Sequence, residues 1–385
     1  MITRRVQRRS GPAGQAGKGR NKTIYRKVGS VQTLRHHHPL DTDGGTAMTT
    51  RPTPAGTGMA TNRGSKFRMK RAFVFPGQGS QVVGMGRALA AAFVPARQVM
   101  AEVDDALSQN LSRLMFEGPE SDLTMTENAQ PALMTASLAV IHVLETEGGL
   151  NLSRDVAFVA GHSLGEYSAL AAARALSVGD VARLLKRRGQ AMQRAVPVGV
   201  GAMAALLGLD IERAMAAAAE AAHAAVGPDE ICAVANDNAP GQVVVSGHRG
   251  AVERAVLIAR AHGARAITLP VSAPFHSPLM APAADVMEET LRGVALGPPV
   301  VPLVANVSAT ATRDPRRIER GLVEQVTAMV RWRESVLFFK DTDIGQIVEI
   351  GAGRVLTGLV KRIDPKISAL SVGSPSEVEA LMKEL

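Results

Sequence analysis

The sequence predicts an α/β fold: a larger subdomain with a mostly parallel sheet, and a small ferredoxin-like subdomain inserted into it. Three observations support this prediction. Apolar runs at residues 72–75, 156–160 and 346–350 have the length of buried strands. A Gly-x-Ser-x-Gly pentapeptide lies between the second run and a helical segment. Residues 198–270 have the order strand, helix, strand, strand, helix, strand, which is the βαββαβ pattern.

The larger subdomain is predicted to comprise residues 69–197 and 271–385. Its first strand, at 72–75, leads into a loop at 76–81 whose two glycines let the backbone of Gln78 approach a ligand closely. Val82 occupies the third glycine position of a dinucleotide-binding motif, so that type of site is excluded. Helices are predicted at 86–92, at 95–107, from Gln130-Pro131 to 147, after the strand at 156–160, and at 178–195.

The small subdomain is predicted at residues 198–270. Its strands are expected at 202–208, 231–236, 242–247 and 264–269, and its helices at 211–225 and 250–262. A proline-punctuated loop at 270–278 returns the chain to the larger subdomain. The predicted elements there are a helix at 281–291, strands at 301–305 and 346–350, and a helix at 355–363.

Positive charge is concentrated at the N-terminus. Residues 1–68 contain fourteen Lys and Arg against two Asp; because the whole chain carries +9 and this segment +12, the other 317 residues carry −3. The folded part therefore gives no electrostatic reason to expect nucleic-acid binding. Residues 1–68 lack helical or strand periodicity and are predicted to be a disordered basic leader. It is a targeting peptide, a nucleic-acid or membrane tail, or sequence upstream of a start such as Met69, which is the favoured interpretation.

Disulfides, metal sites and membrane spans are not predicted. The single cysteine, Cys232, excludes an intrachain disulfide and fits a reducing compartment, so a cytoplasmic location is expected. His36, His37 and His38 lie in the leader without Cys or carboxylate partners, which disfavours a metal site. No stretch reaches the roughly 18 uninterrupted apolar residues that a membrane span needs.

The pentapeptide at residues 161–165 is typical of a nucleophile elbow, the sharp strand-to-helix turn of hydrolase-like α/β folds. Gly161 and Gly165 lack the Cβ atoms that would clash in such a turn, and Ser163 lies at its apex. The N–H groups that begin the following helix would stabilise an anion formed beside the serine. The alternative, an ordinary strand–turn–helix with a chance serine, has to be decided by partner residues elsewhere.

A serine hydroxyl needs a base, usually a histidine, to act as a nucleophile at neutral pH. His276 is the candidate, because it lies in the proline-bounded loop where the chain rejoins the larger subdomain. The other histidines lie in the leader, on a helix or in the small subdomain, except His162, whose side chain should point away from Ser163. Glu166 lies on the first turn of the following helix, where an acid is favourable through the helix dipole, so a structural role is preferred to that of a triad acid.

Five segments in order carry a resemblance to a known family. They are residues 73–81 (FVFPGQGSQ), 161–169 (GHSLGEYSA), 240–247 (PGQVVVSG), 270–280 (PVSAPFHSPLM) and 351–359 (GAGRVLTGL). The chain from about residue 70 to its end resembles the malonyl-CoA:acyl-carrier-protein transacylases of fatty-acid synthesis, which are related to the acyltransferase domains of polyketide synthases. Several long motifs in one order are a specific signal, which a lone Gly-x-Ser-x-Gly is not.

The resemblance implies that Ser163 is the acylated nucleophile and His276 its general base. It implies that the backbone N–H groups of Gln78 and Leu164 form the oxyanion hole. It also implies that the main-chain carbonyl of Gln325 orients the histidine in place of a triad carboxylate. Residues 326–332 (VTAMVRW) depart from the family here, since many members carry an Asn-Pro pair in this segment.

Two further residues are assigned to substrate binding by the resemblance. Arg188 corresponds to the clamp for the substrate's free carboxylate, and a guanidinium fork suits bidentate carboxylate binding. Without the resemblance, Arg188 would be one more solvated charge in a basic helix. Phe275 resembles the bulky residue of malonyl-selective members, so malonyl is expected over methylmalonyl.

The expected function is a ping-pong transfer of malonyl from malonyl-CoA, through a malonyl-serine, to the phosphopantetheine thiol of acyl carrier protein. The protein is expected to be a monomer that supplies fatty-acid elongation, with malonyl-CoA as substrate and no resident cofactor. The alternatives are a serine esterase or thioesterase with a related elbow, a polyketide-pathway malonyl transacylase, and a non-enzymatic protein that acts through its leader. Acyl loading in an Arg188→Ala variant tests the esterase alternative. Activity after deletion of residues 1–68 tests the hypothesis that the protein acts through its leader.

Overall fold

The computed structural model describes residues 69–224, 230–271 and 273–385. The predicted leader at 1–68, with its three histidines, lies outside the described residues. Residue 225, the predicted end of a helix, lies outside them as well.

The described residues contain ten strands in two sheets. They are β1 (Arg71–Phe75), β2 (Phe158–Gly161), β3 (Gly201–Leu207), β4 (Cys232–Ala239), β5 (Gln242–His248), β6 (Arg265–Thr268), β7 (Leu303–Val304), β8 (Ala311–Thr312), β9 (Gln346–Ile350) and β10 (Ser368–Val372). The larger sheet has the order β10-β9-β1-β2-β7-β8, and only the pairing of β7 with the edge strand β8 is antiparallel. The smaller sheet has the order β4-β5-β3-β6 and is antiparallel throughout.

The described residues also contain fifteen α-helices. In chain order they are α1 (Arg87–Ala92), α2 (Val94–Leu107), α3 (Leu111–Glu117), α4 (Glu120–Thr124), α5 (Thr126–Thr146), α6 (Leu152–Asp155), α7 (Gly165–Ala172), α8 (Val178–Ala195), α9 (Ile211–His223), α10 (Arg249–Ala261), α11 (Ala281–Arg292), α12 (Pro315–Glu324), α13 (Trp332–Asp341), α14 (Val355–Ile363) and α15 (Pro375–Met382). None of the helices in the described ranges combines the length and the apolar character that crossing a bilayer requires.

Strands β1 and β9 are buried along their whole length, as expected for a parallel sheet covered on both faces. In the register of β1 and β2, Phe75 lies beside Gly161, so the two strands end at the same level. The loop after β1 and the turn after β2 therefore emerge side by side. This edge of an open α/β sheet, where the carboxyl ends of the strands meet, is the usual position of a ligand site.

The predicted fold class is confirmed, because a mostly parallel sheet and a separate antiparallel sheet are both present. The smaller sheet follows the predicted βαββαβ order, β3-α9-β4-β5-α10-β6, and its two helices share an apolar core with it. The buried Cys232 belongs to that core. The boundaries proposed for the small subdomain, 198 and 270, enclose all four of these strands.

The bounds of several predicted elements differ in the structure, and the elements that were not predicted are β8, β10, α3, α4, α6, α12, α13 and α15. Helix α5 begins at Thr126, not at Gln130, and contains Pro131. A proline has no N–H, so one backbone hydrogen bond to the preceding turn of the helix is missing. The strand predicted at 301–305 is confined to Leu303–Val304, since Pro302 has no N–H for the sheet. Strand β10 was missed because its sequence, SALSV, is half-buried at the sheet edge and lacks an apolar run.

Strand β4 of the smaller sheet pairs with the segment around Val330, which leads into α13. The Asp237 N–H donates to the Val330 carbonyl at 3.0 Å, and the Val330 N–H donates to the Ala235 carbonyl at 2.9 Å. The Asp237 carboxylate, 1% exposed, accepts from Arg333 Nε at 2.9 and 3.1 Å. A buried carboxylate of the smaller sheet is thus paired with a cation on α13.

We expect Asp237→Asn to lower the free energy of unfolding by about 1–3 kcal/mol, because charge-assisted hydrogen bonds to Arg333 are replaced by weaker ones. The control is Glu117→Gln, which breaks the exposed pair of Glu117 with Arg113 and should cost less than about 0.5 kcal/mol. Urea denaturation followed by circular dichroism measures both. A loss for Asp237→Asn no larger than that of the control would show that this pair does not stabilise the fold.

Candidate active site

Ser163 lies at the apex of a strained turn between β2 and α7. Its φ is +54°, in the left-handed region that non-glycine residues rarely adopt. A Cβ on Gly161 would come within 1.9 Å of the Gly165 carbonyl group, and a Cβ on Gly165 within 2.2 Å of the Phe75 oxygen. Glycine is therefore required at both positions. The predicted elbow geometry is present.

His276 forms a hydrogen-bonded pair with Ser163. Its Nε2 lies 2.8 Å from Ser163 Oγ, and its Nδ1 lies 2.8 Å from the main-chain carbonyl of Gln325. A carbonyl only accepts, so the hydrogen of neutral His276 is on Nδ1 and Nε2 carries the lone pair. In this tautomer Nε2 can accept the Ser163 proton.

The electrostatic environment keeps His276 neutral. Burial and the positive charge of Arg188 lower the pKa of His276 from 6.5 to about 3, against the opposing effect of its hydrogen bond to Gln325. The ring is therefore unprotonated in the free protein at neutral pH.

Arg188 is buried beside the serine. It is 1% exposed, and its Nη2 lies 3.2 Å from Ser163 Oγ. Nη1 donates to Gln130 Oε1 and Nη2 to Gln325 Oε1, both at 2.8 Å. Arg188, which follows Ser163 by 25 positions in the sequence, thus lies beside the reactive oxygen.

Among the described residues, no carboxylate contacts the Arg188 guanidinium directly, although the buried Glu166 acts on it through space. The groups that accept its hydrogen bonds are neutral, and none of the ion pairs found within the described ranges includes it. The ring of Tyr167 lies 5.6 Å below the guanidinium carbon and supplies a weak cation–π contact. Burial lowers the pKa of Arg188, which reflects the cost of removing this cation from water. An anion placed here would relieve that cost.

The side-chain amide of Gln325 connects Arg188 to a buried carboxyl group. Its Nε2 donates to Glu166 Oε2 at 2.6 Å and to the Ser163 carbonyl at 3.0 Å. Burial raises the pKa of Glu166 to about 7, and the hydrogen bond from Gln325 partly opposes the shift. Glu166 contacts Gln325 and the Asn306 N–H rather than His276. It does not have the position of a triad acid.

The residues implied for the oxyanion hole lie on both sides of the turn. Leu164 directly follows the serine and is the N-cap of α7, so its N–H lies at a helix start. Gln78 is in the loop after β1, and this loop packs against the elbow: a Cβ on Gly77 would lie 2.9 Å from the His162 oxygen. The oxyanion hole stays a prediction.

Two other predicted positions are occupied as follows. Phe275 is buried in the main core directly before His276. His162 is turned away from the serine: its Nε2 lies 2.9 Å from Asn238 Oδ1, and its ring 5.8 Å from that of Trp332. His162 is thus excluded as the partner of Ser163 in this arrangement.

Sequence reasoning missed Gln130 and Asn306. Gln130 accepts from Arg188, whereas Asn306 holds the elbow: its Oδ1 accepts from the Ser163 N–H at 2.8 Å and its Nδ2 donates to the Gly161 carbonyl at 2.6 Å. A polar residue two positions after the end of β7, at the edge where the carboxyl ends of the strands meet, was an available signal for Asn306. No comparable signal marked Gln130, which lies inside α5.

A sequence model of the acyl transferase domain matches residues 72–368, and the chain belongs to this family. It is an acyltransferase. It is 42% identical over 317 residues to a malonyl CoA-acyl carrier protein transacylase of Bacillus subtilis (strain 168). The aligned region covers 82% of this chain and 97% of that protein.

Solved structures show the same similarity. An acyl-carrier-protein S-malonyltransferase from Bartonella henselae is 53% identical with a TM-score of 0.79, covering 82% of this chain and 99% of that one. A malonyl-transacylase solved in complex with a holo type II PKS acyl-carrier protein is 42% identical with a TM-score of 0.78, covering 82% and 100%.

We expect acylation of Ser163 to persist at pH 5, since His276 with a pKa of about 3 is still neutral there. The rate constant kcat/KM, which reports the free enzyme, should fall less than about threefold between pH 7.5 and 5. An imidazole with the ordinary pKa of 6.5 would give a fall of roughly 30-fold. Rapid-quench mass spectrometry with malonyl-CoA measures this rate.

The lowered pKa of His276 preserves activity at acidic pH but reduces the stability of the fold there. Below pH 6.5 the unfolded chain protonates His276 but the folded chain does not, so folding is weakened as pH falls from 6.5 toward 3. Circular dichroism at each pH therefore has to show that the protein is folded. Because Glu166 has a pKa of about 7, the profile is also measured in Glu166→Gln. An acid limb of kcat/KM centred near pH 6.5 that persists in that folded variant would contradict the assigned environment of His276.

Proposed function

We propose that the protein transfers the malonyl group of malonyl-CoA to the phosphopantetheine thiol of acyl carrier protein, through a malonyl ester of Ser163. The observation that carries this proposal is the buried, carboxylate-free guanidinium of Arg188, 3.2 Å from Ser163 Oγ. An acyl group on Ser163 that ends in a carboxylate would complete the missing ion pair. A plain acetyl or fatty acyl group would leave the buried cation unpaired.

In the acylation step, Nε2 of His276 accepts the proton of Ser163 Oγ while Oγ attacks the thioester carbonyl carbon. The N–H groups of Leu164 and Gln78 would hold the resulting oxyanion. The carbon–sulfur bond then breaks, and the coenzyme A sulfur takes the proton from His276. The Gln325 carbonyl keeps the ring oriented by accepting from Nδ1 while the imidazolium forms.

In the transfer step, His276 accepts the proton of the incoming phosphopantetheine thiol. The sulfur attacks the malonyl ester, the carbon–oxygen bond to Ser163 breaks, and Oγ takes the proton back. Both half-reactions use the same pair, so the cycle needs no triad acid. His276 Nδ1 bonds to the neutral main-chain carbonyl of Gln325, whereas many serine hydrolases have a carboxylate at this position.

Acyl selectivity would come from two residues. Arg188 selects for a carboxylate, and the buried Phe275 next to His276 would limit the space for a branched acyl chain, which favours malonyl over methylmalonyl. The comparisons support the acyl group: the relatives reported above are named malonyl transacylases or S-malonyltransferases.

The carrier protein is the partner that these names indicate, and we infer that the product feeds fatty-acid elongation in the cytoplasm, with the enzyme acting as a monomer. One similar structure contains a type II PKS acyl-carrier protein, which makes a polyketide carrier the second candidate. Loading of purified fatty-acid and polyketide carrier proteins side by side distinguishes the two.

We expect Arg188→Ala to lower the ratio of kcat/KM for malonyl-CoA to kcat/KM for acetyl-CoA by roughly 100-fold, because charge-assisted bonds to the malonyl carboxylate are lost. Acylation of Ser163 is measured by intact-protein mass spectrometry with each thioester. The matched control is Arg187→Ala, an exposed arginine on the same helix, for which the ratio should not change.

An unchanged ratio in Arg188→Ala would remove the carboxylate clamp from the proposal. An unsubstituted protein that releases free malonate in the presence of carrier protein, without loading it, would favour the esterase alternative.

A further inference from the structure

Glu166 is a buried carboxyl group that the acyl-transfer steps do not use. It lies on the first turn of α7, three residues after the serine, and is buried together with Gln325. Its Oε2 accepts from Gln325 Nε2 at 2.6 Å and from the Asn306 N–H at 3.3 Å. Burial of a carboxyl group costs free energy of folding. Because Glu166 lies next to Gln325, which bonds to Arg188, we expect it to have a function in the site.

The amide of Gln325 can be placed in two orientations of nearly the same shape, with oxygen and nitrogen exchanged. In the observed orientation, Nε2 faces three acceptors: Glu166 Oε2, the Ser163 carbonyl and, at 3.3 Å, Asn306 Oδ1. Oε1 on the other side accepts from Arg188 Nη2 at 2.8 Å. The flipped amide would point its N–H groups at those of Arg188, which would push the guanidinium away.

We propose that Glu166 is a positioning residue for acyl-group selectivity, which acts by fixing the Gln325 amide so that its oxygen holds Arg188 against Ser163. This inference rests on the proposed function, in which Arg188 binds the acyl carboxylate. The contact of Glu166 with Gln325 is the shortest of the three on the nitrogen side, and Glu166 supplies the only carboxyl group among them.

The base is held by a different part of Gln325. His276 bonds to the main-chain carbonyl, and the Gln325 N–H is itself fixed by the Gly321 carbonyl of α12 at 2.9 Å. Loss of Glu166 would therefore loosen the side-chain amide without moving the carbonyl that orients His276. The effect should appear in the choice of acyl group rather than in activation of the serine.

The test is Glu166→Leu, in which the side chain keeps its bulk but accepts no hydrogen bond. We expect the malonyl:acetyl ratio of kcat/KM values to fall about tenfold, while acetyl loading of Ser163 stays within about threefold of the unsubstituted protein. Glu166→Gln, whose Oε1 can still accept from Gln325 Nε2, should restore most of the ratio. Both substrates are measured on the same protein sample, so the ratio does not depend on the folded fraction.

Glu349→Leu is the matched control. Glu349 is also buried, but its carboxylate accepts from the Leu356 and Thr357 N–H groups that begin α14, away from Arg188. Its substitution should leave the ratio unchanged. An equal fall in malonyl and acetyl loading in Glu166→Leu, or a Glu166→Gln variant as impaired in its ratio as Glu166→Leu, would mean that Glu166 only supports the fold and would overturn the proposal.

A double variant separates this inference from the function on which it rests. In an Arg188→Ala background, Glu166→Leu should lower the ratio no further, because both act on one clamp; an additional tenfold fall would overturn the proposal. If Arg188→Ala lowers the ratio and soluble Glu166→Leu does not, the inference alone fails. If Arg188→Ala leaves it unchanged, the proposed function fails. Should Glu166→Leu not fold, Glu166→Met, whose sulfur accepts only weakly, carries the same expected fall in the ratio, and a normal ratio in that variant overturns the proposal.

Discussion

The buried positive charge of Arg188, which no carboxylate of the described residues contacts directly, is the constraint on which the rest of the site depends. A buried cation costs several kcal/mol unless polar groups or an opposite charge compensate it. Here Gln130, Gln325 and Ser163 supply neutral acceptors and Tyr167 an aromatic face. None of these groups carries a negative charge, and Glu166 acts on Arg188 only through space and through Gln325. A carboxylate bound directly to the guanidinium would therefore stabilise the site. The same cation helps to lower the pKa of His276, which couples the group that binds the acyl carboxylate to the base.

The fold supports this arrangement by bringing distant segments to one edge of the parallel sheet. Strands β1 and β2 end at the same level, and Gly165 lies in close contact with the Phe75 carbonyl. These two contacts fix the position of the turn that carries Ser163. The Asn306 side chain, after β7, bonds to the Gly161 carbonyl and to the Ser163 N–H, and so fixes the backbone that leads into the left-handed conformation of Ser163. Strain at the serine is thus balanced by contacts from neighbouring strands, which is typical of a preorganised site.

Much of this was predictable from local patterns. The bounds of α8, α14 and β9 agree with the prediction, because their apolar periodicity and bounding residues are unambiguous. Ser163 was identified by its glycines, and His276 by elimination and by its proline-bounded loop. Gln130, Asn306 and the amide of Gln325 were beyond reach, since a hydrogen bond between side chains 58 or 137 positions apart leaves no periodic trace. Pro131 misled the prediction because proline favours the first position of a helix, whereas here it is the sixth residue of α5.

The central claim is that Ser163 is acylated by malonyl-CoA and deacylated by a carrier-protein thiol. Intact-mass measurement of the full chain after incubation with malonyl-CoA tests it most directly. We expect a single malonyl adduct that is absent in Ser163→Ala and disappears when phosphopantetheinylated carrier protein is added, with the mass of one malonyl group gained by the carrier. An adduct that persists in Ser163→Ala, or one lost only to water while the carrier stays unmodified, would contradict it.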